Sequence, residues 1–282
     1  SLGFKLKGYF DKKSSRIMDR YCNYIGKPDL IQSYIKENNI HEIIIALENH
    51  EHENLLEIIG KYNMFDVCIK IVPDMYEVIS GQVRVERIDG IPLLDINPDI
   101  MTEFQEVFKR FGDIIIALFG IFVLLPFNLL ICILIKINSK GSIFYNQERV
   151  GLNGVKFTLI KFRTMYVGSE DITGPVWADV KDPRITAVGK ILRKFHLDEL
   201  PQLLNVLYGN MSIIGPRPER PSIIKKLLIE MPYYSHRFKV KPGITGWAQI
   251  MGVYDSNIDD VKRKLKHDFY YIENISLILD FK

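Results

Sequence analysis

Between Ile114 and Ile135 the chain carries no charged residue, in the run IIIALFGIFVLLPFNLLICILI. As a helix rising about 1.5 Å per residue, that run reaches roughly 30 Å, the thickness of a bilayer's hydrocarbon layer. It reads as a membrane segment, so the rest of the chain must fold around an element that water does not stabilise. Pro126 sits near its middle, where the missing N–H and the ring's clash with the preceding turn predict a kink or break. Basic residues lie on both sides, Lys109 and Arg110 before it and Lys136 and Lys140 after it. Because positive charge favours the cytoplasmic side, this symmetry predicts a helix hairpin broken at Pro126, over about residues 109–136, that enters and leaves by one face. Asn128, close to the break, is expected to satisfy a freed backbone group. A kinked helix that spans is the alternative topology.

The whole chain of 282 residues is 47% hydrophobic and 25% charged, which gives room for two domains and excludes disorder. A net charge of +3, with no basic stripe interleaved with aromatics, excludes nucleic acid as a partner but leaves anionic small molecules and an acidic membrane surface. Cys22, Cys68 and Cys132 lie far apart, with no Cys or His at the short spacing of a zinc site, which fits a reducing cytoplasm. His50 and His52 flank Glu51 without an obvious third ligand and read as a solvated loop. The chain opens at Ser1 with no signal-peptide pattern.

From residue 1 to 97, short β-branched runs, EIIIAL (42–47) and VCIKIV (67–72), alternate with helical periodicity in DLIQSYIKENN (29–39) and ENLLEIIGKYN (53–63). This βαβ alternation predicts an α/β domain with a parallel sheet. No G-x-G-x-x-G occurs in it, so a ligand-binding domain and a regulatory or oligomerising domain both stay open. Composition shifts near Asn97-Pro98, and residues 98–282 form the second expected domain.

The stretch VKFTLIKFRTM (155–165) alternates as a strand and places Lys161 and Arg163 on one face, an arrangement that plain surface also shows. Asp182, Arg184 and Arg193 lead into HLDELPQLLNVLYG. A proline is tolerated only in the first helical turn, so Pro201 predicts a helix that starts near Asp198, with Asp198 near its N-cap. There a carboxylate can simply cap the helix, or stand ionised beside a phosphate bound by the unpaired N–H groups. GPRP (215–218) stiffens the backbone around Arg217, whose guanidinium suits phosphate. In KPGITGWAQ (241–249), Lys241 adds charge, and Gly243 and Gly246 permit close backbone approach to a ligand. A carboxylate pair, several cations, tight loops and a membrane anchor together indicate phosphoryl chemistry on a lipid-linked substrate, with a divalent metal shielding charge. Adjacent carboxylates are not built to flank a glycosidic bond.

QERVG (147–151), KFRTM (161–165), LDELPQLLNVLYGNMSIIGPRPE (197–219) and KPGITGWAQ (241–249) closely resemble the bacterial sugar transferases, the monotopic polyprenyl-phosphate phosphoglycosyl transferases. The resemblance runs from about Phe104 to the end. It implies transfer of a sugar-1-phosphate from a UDP-sugar to polyprenyl (undecaprenyl) phosphate, with release of UMP, at the cytoplasmic face of the bacterial inner membrane. Such a reaction initiates exopolysaccharide, capsule or O-antigen synthesis. The resemblance further implies Asp198 as covalent nucleophile, Glu199 as the residue that supports Mg2+, and a re-entrant helix broken at Pro126. Lys161, Arg163, Arg184, Arg217, Lys241, Gly243 and Gly246 are the expected substrate-binding residues.

The first part, with EIIIAL, VPDMYEV (72–78) and GIPLLDI (90–96), resembles the Rossmann-like domain of the larger members. Against that pattern a first strand, a glycine loop and the last helix are missing, so a fragment shortened at both ends is expected. The expected fold is thus an N-terminal Rossmann-like parallel-sheet domain followed by a mainly helical α+β catalytic domain with a re-entrant membrane hairpin. One departure stands in WAQIMGVYDS, where many relatives carry a basic residue and this chain has Val253. The bilayer, the two substrates and a homo-oligomer are the expected partners. A catalytically impaired membrane scaffold is the competing reading, and the sugar is not legible.

Overall fold

The computed structural model describes residues 5–46, 58, 62, 65, 67–72, 100–169, 182–252 and 258–282, and the backbone of 86–88 and 91–95. The chain divides into two compact units, Ser1–Asp99 and Ile100–Lys282. The expected helix at 53–63 lies mostly outside the described residues. VPDMYEV, His50, Glu51, His52 and Val253 also lie outside them, or almost wholly so.

In the first unit, β1 (Tyr9–Phe10) pairs in parallel with β2 (Tyr24–Gly26). Helix α1 (Ile31–Asn38) ends at Asn39, whose left-handed φ of 51° suits the position after a helix. A four-stranded sheet follows, in the order β3-β4-β6-β5: β3 (Glu42–Ile45), β4 (Cys68–Ile71), β5 (Glu86–Ile88) and β6 (Ile91–Asp95). Ile35 of α1 is buried with Ile45, Ile69 and Ile71. The expected parallel sheet is found in part: among its described strands β3 and β4 run parallel, whereas β6 pairs antiparallel with both β4 and β5. A short apolar run such as GIPLLDI has the same pattern in either direction; only the length of its connections could have told them apart.

The second unit begins with α2 (Glu103–Asn138), started by a reciprocal cap in which Thr102 Oγ1 accepts from Gln105 N–H and Gln105 Oε1 accepts from Thr102 N–H. Its most apolar stretch has a mean hydropathy of 2.8 and is 11% buried. The helix runs uninterrupted through Pro126, so the expected pair of helices with a break between them is corrected to one helix. A proline removes one hydrogen bond and can bend a helix without ending it. Asn128, close to the proline, has its Oδ1 buried without a donor among the described residues.

Both ends of α2 are tied to the body of this unit. Arg110 donates to the carbonyls of Val206 (2.6 Å) and Leu207 (3.0 Å), and Asp113 Oδ1 accepts from Ile213 N–H (3.0 Å). Lys109 pairs with Asp280 (2.5 Å). Ala117 is buried with Phe157, Val206 and Met211, while Ile131 and Ile135 are buried with Phe162 and Leu192. The opposite face stays exposed and apolar, from Phe111, Ile115 and Phe119 through Phe122 and Leu129 to Ile133.

After α2 come the antiparallel pair β7 (Phe144–Val150) and β8 (Lys156–Phe162), then α3 (Ala187–Lys194) and α4 (Gln202–Leu207). Strand β9 (Ser212–Ile214) precedes α5 (Pro221–Glu230), and β10 (Gly243–Thr245), α6 (Ile258–Glu273) and α7 (Leu277–Phe281) complete the unit. Strands β9 and β10 pair in parallel. This unit is mixed α and β with helices dominant, around one long apolar helix.

At the exit of α2, Arg163 donates to Ser139 O (2.9 Å), Ser139 Oγ (3.0 Å) and Lys140 O (2.9 Å), closing the helix end with a buried cation. Gly141 makes room for it: a Cβ there would lie 2.0 Å from Arg163 Nη1, and its φ is +125°. Gly141→Ala is therefore expected to destabilise by about 1–3 kcal/mol. Thermal unfolding of the detergent-solubilised protein checks this, and an unchanged melting temperature would remove the clamp.

Candidate active site

The site is assembled around the end of β8. Strand alternation buries Phe157 and Leu159 and turns Lys161 to the same side. Residue Thr164, just past the strand, accepts from Thr186 N–H (2.9 Å), and Thr186 Oγ1 caps α3 by accepting from Gly189 N–H (2.9 Å). Arg193, in the last turn of α3, reaches back so that its Nε donates to Thr164 Oγ1 (2.8 Å). The chain then turns sharply at His196, which holds a left-handed φ of 55°. Leu197–Glu199 form a 3-10 turn, and α4 begins at Gln202.

Asp198 therefore sits inside a tight turn and not at an N-cap. His196 and Pro201 occupy the two cap positions, and neither makes a side-chain cap bond. The expected helix start is displaced because Leu200 and Pro201 continue the turn with helical angles, so the proline falls between turn and helix. Asn205, in the middle of α4, fixes the register: its Oδ1 accepts from Ile160 N–H (3.0 Å) and its Nδ2 donates to Thr158 O (2.7 Å). One amide thereby sews α4 to the free edge of β8 and brings the turn beside Lys161.

Asp198 and Glu199 are both nine-tenths buried, yet their surroundings differ. Glu199 Oε1 accepts from Lys161 Nζ (2.9 Å) and Arg217 Nη2 (2.5 Å), and Oε2 accepts from Arg217 Nη1 (3.3 Å). Burial pushes Glu199 towards its neutral form, but Arg217 and then Lys161 outweigh it and hold the pKa at about 2. Asp198 receives no side-chain hydrogen bond among the described residues. Burial raises its pKa, with Glu199 adding to the rise and Lys161 and Arg193 opposing it. Burial also lowers the Lys161 pKa, against the pull of Glu199.

Of the residues expected to bind substrate, Lys161 and Arg217 meet at the dyad. Arg163 faces the end of α2. Arg184 chelates Asp182, with Nε on Oδ1 (2.9 Å) and Nη2 on Oδ2 (2.5 Å), and holds that carboxyl at about 2. Lys241 is half-buried, and burial, followed by Arg110, lowers its pKa against Asp113 and Glu106, which places it by the entry end of α2. Gly243 and Gly246 both lie against Gly215. A Cβ on Gly243 would lie 2.1 Å from Gly215 N, and one on Gly246 would lie 2.2 Å from Gly215 O, so they let two chain segments touch backbone to backbone.

Sequence reasoning gave no role to a second layer of charge. Arg149 of β7 pairs with Glu219 (3.3 Å), which Lys264 of α6 also approaches (3.4 Å). Arg237 pairs with Asp268 (2.8 Å), and both side chains are almost wholly buried. Arg149 lies in the QERVG motif, which was a signal; Arg237 and Asp268 carry none that a single chain shows. A cavity of about 160 Å³ lies beside this layer, lined by Leu227, Tyr234, Arg237, Lys264 and Asp268, and neither dyad residue lines it.

A buried carboxylate pair with Lys161 and Arg217 on Glu199 thus stands in the same unit as the long apolar helix. The chain belongs to the bacterial sugar transferase family, whose sequence pattern matches residues 104–282. It is 40% identical over 209 residues to a UDP-N-acetylgalactosamine-undecaprenyl-phosphate N-acetylgalactosaminephosphotransferase of Aeromonas hydrophila, covering 74% of this chain and 48% of that protein. It is 34% identical to a UDP-glucose:undecaprenyl-phosphate glucose-1-phosphate transferase of Xanthomonas campestris pv. campestris, over 92% of this chain and 54% of that one. A protein of the same description from Klebsiella pneumoniae is 33% identical, over 100% of this chain and 60% of its own length. The chain thus spans about half to three fifths of these relatives.

The two environments predict opposite stabilities. Glu199 has a folded pKa below its ordinary 4.5, so its stabilisation is present above that value and is lost as pH falls towards about 2. Asp198 is raised, so its ionised form costs stability at neutral pH. Asp198→Asn is expected to raise the melting temperature at pH 7 and Glu199→Gln to lower it, since the latter leaves two part-buried cations without their anionic partner. Differential scanning fluorimetry on both variants checks this, and a lower melting temperature in Asp198→Asn would contradict it.

Proposed function

We propose that this protein transfers a sugar-1-phosphate from a UDP-sugar to polyprenyl phosphate, most simply undecaprenyl phosphate, and releases UMP. The observation that carries this reading is the division of labour in the dyad. Glu199 is occupied by two cations, while Asp198 is buried and, among the described residues, receives no hydrogen bond from another side chain, which suits an attacking carboxylate. In the first step an Asp198 carboxylate oxygen bonds to the phosphorus that bears the sugar, the bond from that phosphorus to the bridging oxygen breaks, and UMP leaves with the electron pair. In the second, a phosphate oxygen of the lipid attacks the same phosphorus and Asp198 is released as carboxylate. Arg193, whose Nε is held by Thr164, stands on the Asp198 side and suits the transferred phosphoryl group. The names of the relatives support the substrates, and their different sugars leave the sugar open.

A divalent metal such as Mg2+ fits this donor set in part. Glu199, the expected ligand, already holds Lys161 and Arg217, so Asp198 and the diphosphate would hold the ion, with Glu199 lending at most its Oε2 side. When bound, the ion neutralises charge on the diphosphate. We further propose that α2 enters and leaves the bilayer by the cytoplasmic face of the inner membrane, bending at Pro126. In support, Arg110 at one end and the Ser139–Lys140 carbonyls at the other are fixed to the same unit, and the outward face between them is apolar.

With polyprenyl phosphate and Mg2+, the purified protein is expected to release UMP from one UDP-sugar in a panel, and Asp198→Asn to release none. Mass spectrometry should find a phosphosugar adduct on Asp198 when the lipid is withheld. Release of UDP would indicate direct glycosyl transfer, and neither turnover nor adduct with any sugar would leave the scaffold reading. For topology, Glu103→Cys and Lys140→Cys are expected to react with an impermeant thiol reagent from the same side of sealed vesicles. Labelling from opposite sides would make α2 a spanning helix.

A further inference from the structure

The loop that carries Arg217 is held by its backbone in an unusual way. Three consecutive carbonyls each accept a hydrogen bond: Pro216 O from Gly243 N–H (3.0 Å), Arg217 O from Arg237 Nη2 (2.9 Å), and Pro218 O from Arg149 Nη1 (2.9 Å). Prolines on both sides of Arg217 fix φ at 216 and 218, so the remaining freedom of the segment lies in the peptide planes that these carbonyls report. Two of the three donors are arginines with a carboxylate behind them, Glu219 for Arg149 and Asp268 for Arg237. Arg237 is 5% exposed and Asp268 2%, and Tyr234 adds a hydroxyl contact and a ring face 5.0 Å from the Arg237 guanidinium.

A buried ion pair of this kind is weak evidence of stabilisation, because removing two charges from water offsets most of their attraction. What it supplies here is placement. Asp268 holds the Nε edge of the guanidinium as an ion pair (2.8 Å), the planar group carries Nη2 to the Arg217 carbonyl, and a lysine could not serve both partners. We propose that Arg237, oriented by Asp268, is a positioning residue that fixes the Arg217 backbone and thereby keeps the Arg217 guanidinium on Glu199. The proposal rests on the reading of Asp198 and Glu199 as the reacting dyad, but its first test does not need turnover.

The test uses the full chain in nanodiscs with three variants: Arg237→Lys, the apolar replacement Arg237→Met with Asp268→Leu, and Arg217→Lys as reference. The double replacement removes the tether without stranding a charge, so folding and positioning can be separated. At pH 7 the 13C resonance of the Glu199 carboxylate reports its contact with the Arg217 guanidinium. In both Arg237 variants it is expected to move in the same direction as in Arg217→Lys, as Arg217 is no longer held against it. Adding Arg237→Lys to Arg217→Lys should give no further movement, the mark of a residue that acts through another. An unmoved Glu199 resonance in the double replacement, or full additivity with Arg217→Lys, overturns the proposal whatever the melting temperatures do. In the UMP assay, the same variants are expected to lose about 100-fold in kcat with KM changed about threefold or less. If the unmodified protein releases no UMP, the proposed reaction fails, and the Glu199 resonance still decides the role of Arg237.

Discussion

Three segments that are distant in sequence meet on one carboxylate. Lys161 comes from the end of β8, Arg217 from the loop after β9, and Glu199 from the 3-10 turn before α4. Glu199 is buried and both cations are at least partly so, where an unpaired charge is more costly than a paired one. The arrangement persists only if each segment is fixed independently, and the structure shows how each is fixed. Asn205 joins α4 to β8, the capped start of α3 abuts Thr164, and the Arg217 loop is tied carbonyl by carbonyl.

The consequence falls on the neighbouring residue. With Lys161 and Arg217 committed to Glu199, Asp198 lies in the field of cations without being bonded to them. It stays buried, with its charge only partly compensated. Two adjacent carboxylates thus receive different tasks from their environments and not from their residue types, as happens wherever paired acids have their pKa values pushed apart.

Much of this was legible in the sequence, and the losses have physical reasons. The apolar run declared α2, and HLDELPQ with GPRP declared the dyad and its arginine. What failed were readings of one residue in isolation. Pro126 bends or breaks a helix depending on what surrounds it, and Pro201 can end a tight turn as well as begin a helix. The direction of β6 was equally invisible, since strand pairing is decided by connections and not by hydrophobicity. Arg237 and Asp268 lie 31 positions apart in sequence, and only the fold brings them into contact.

The backbone contact among Gly215, Gly243 and Gly246 also limits how such a protein can diversify. Where two main chains touch, there is no side chain to exchange, and any substitution inserts an atom into an occupied place. This part of the molecule can be kept or lost but not tuned. Variation among proteins built this way must then fall on segments that still have side chains to exchange.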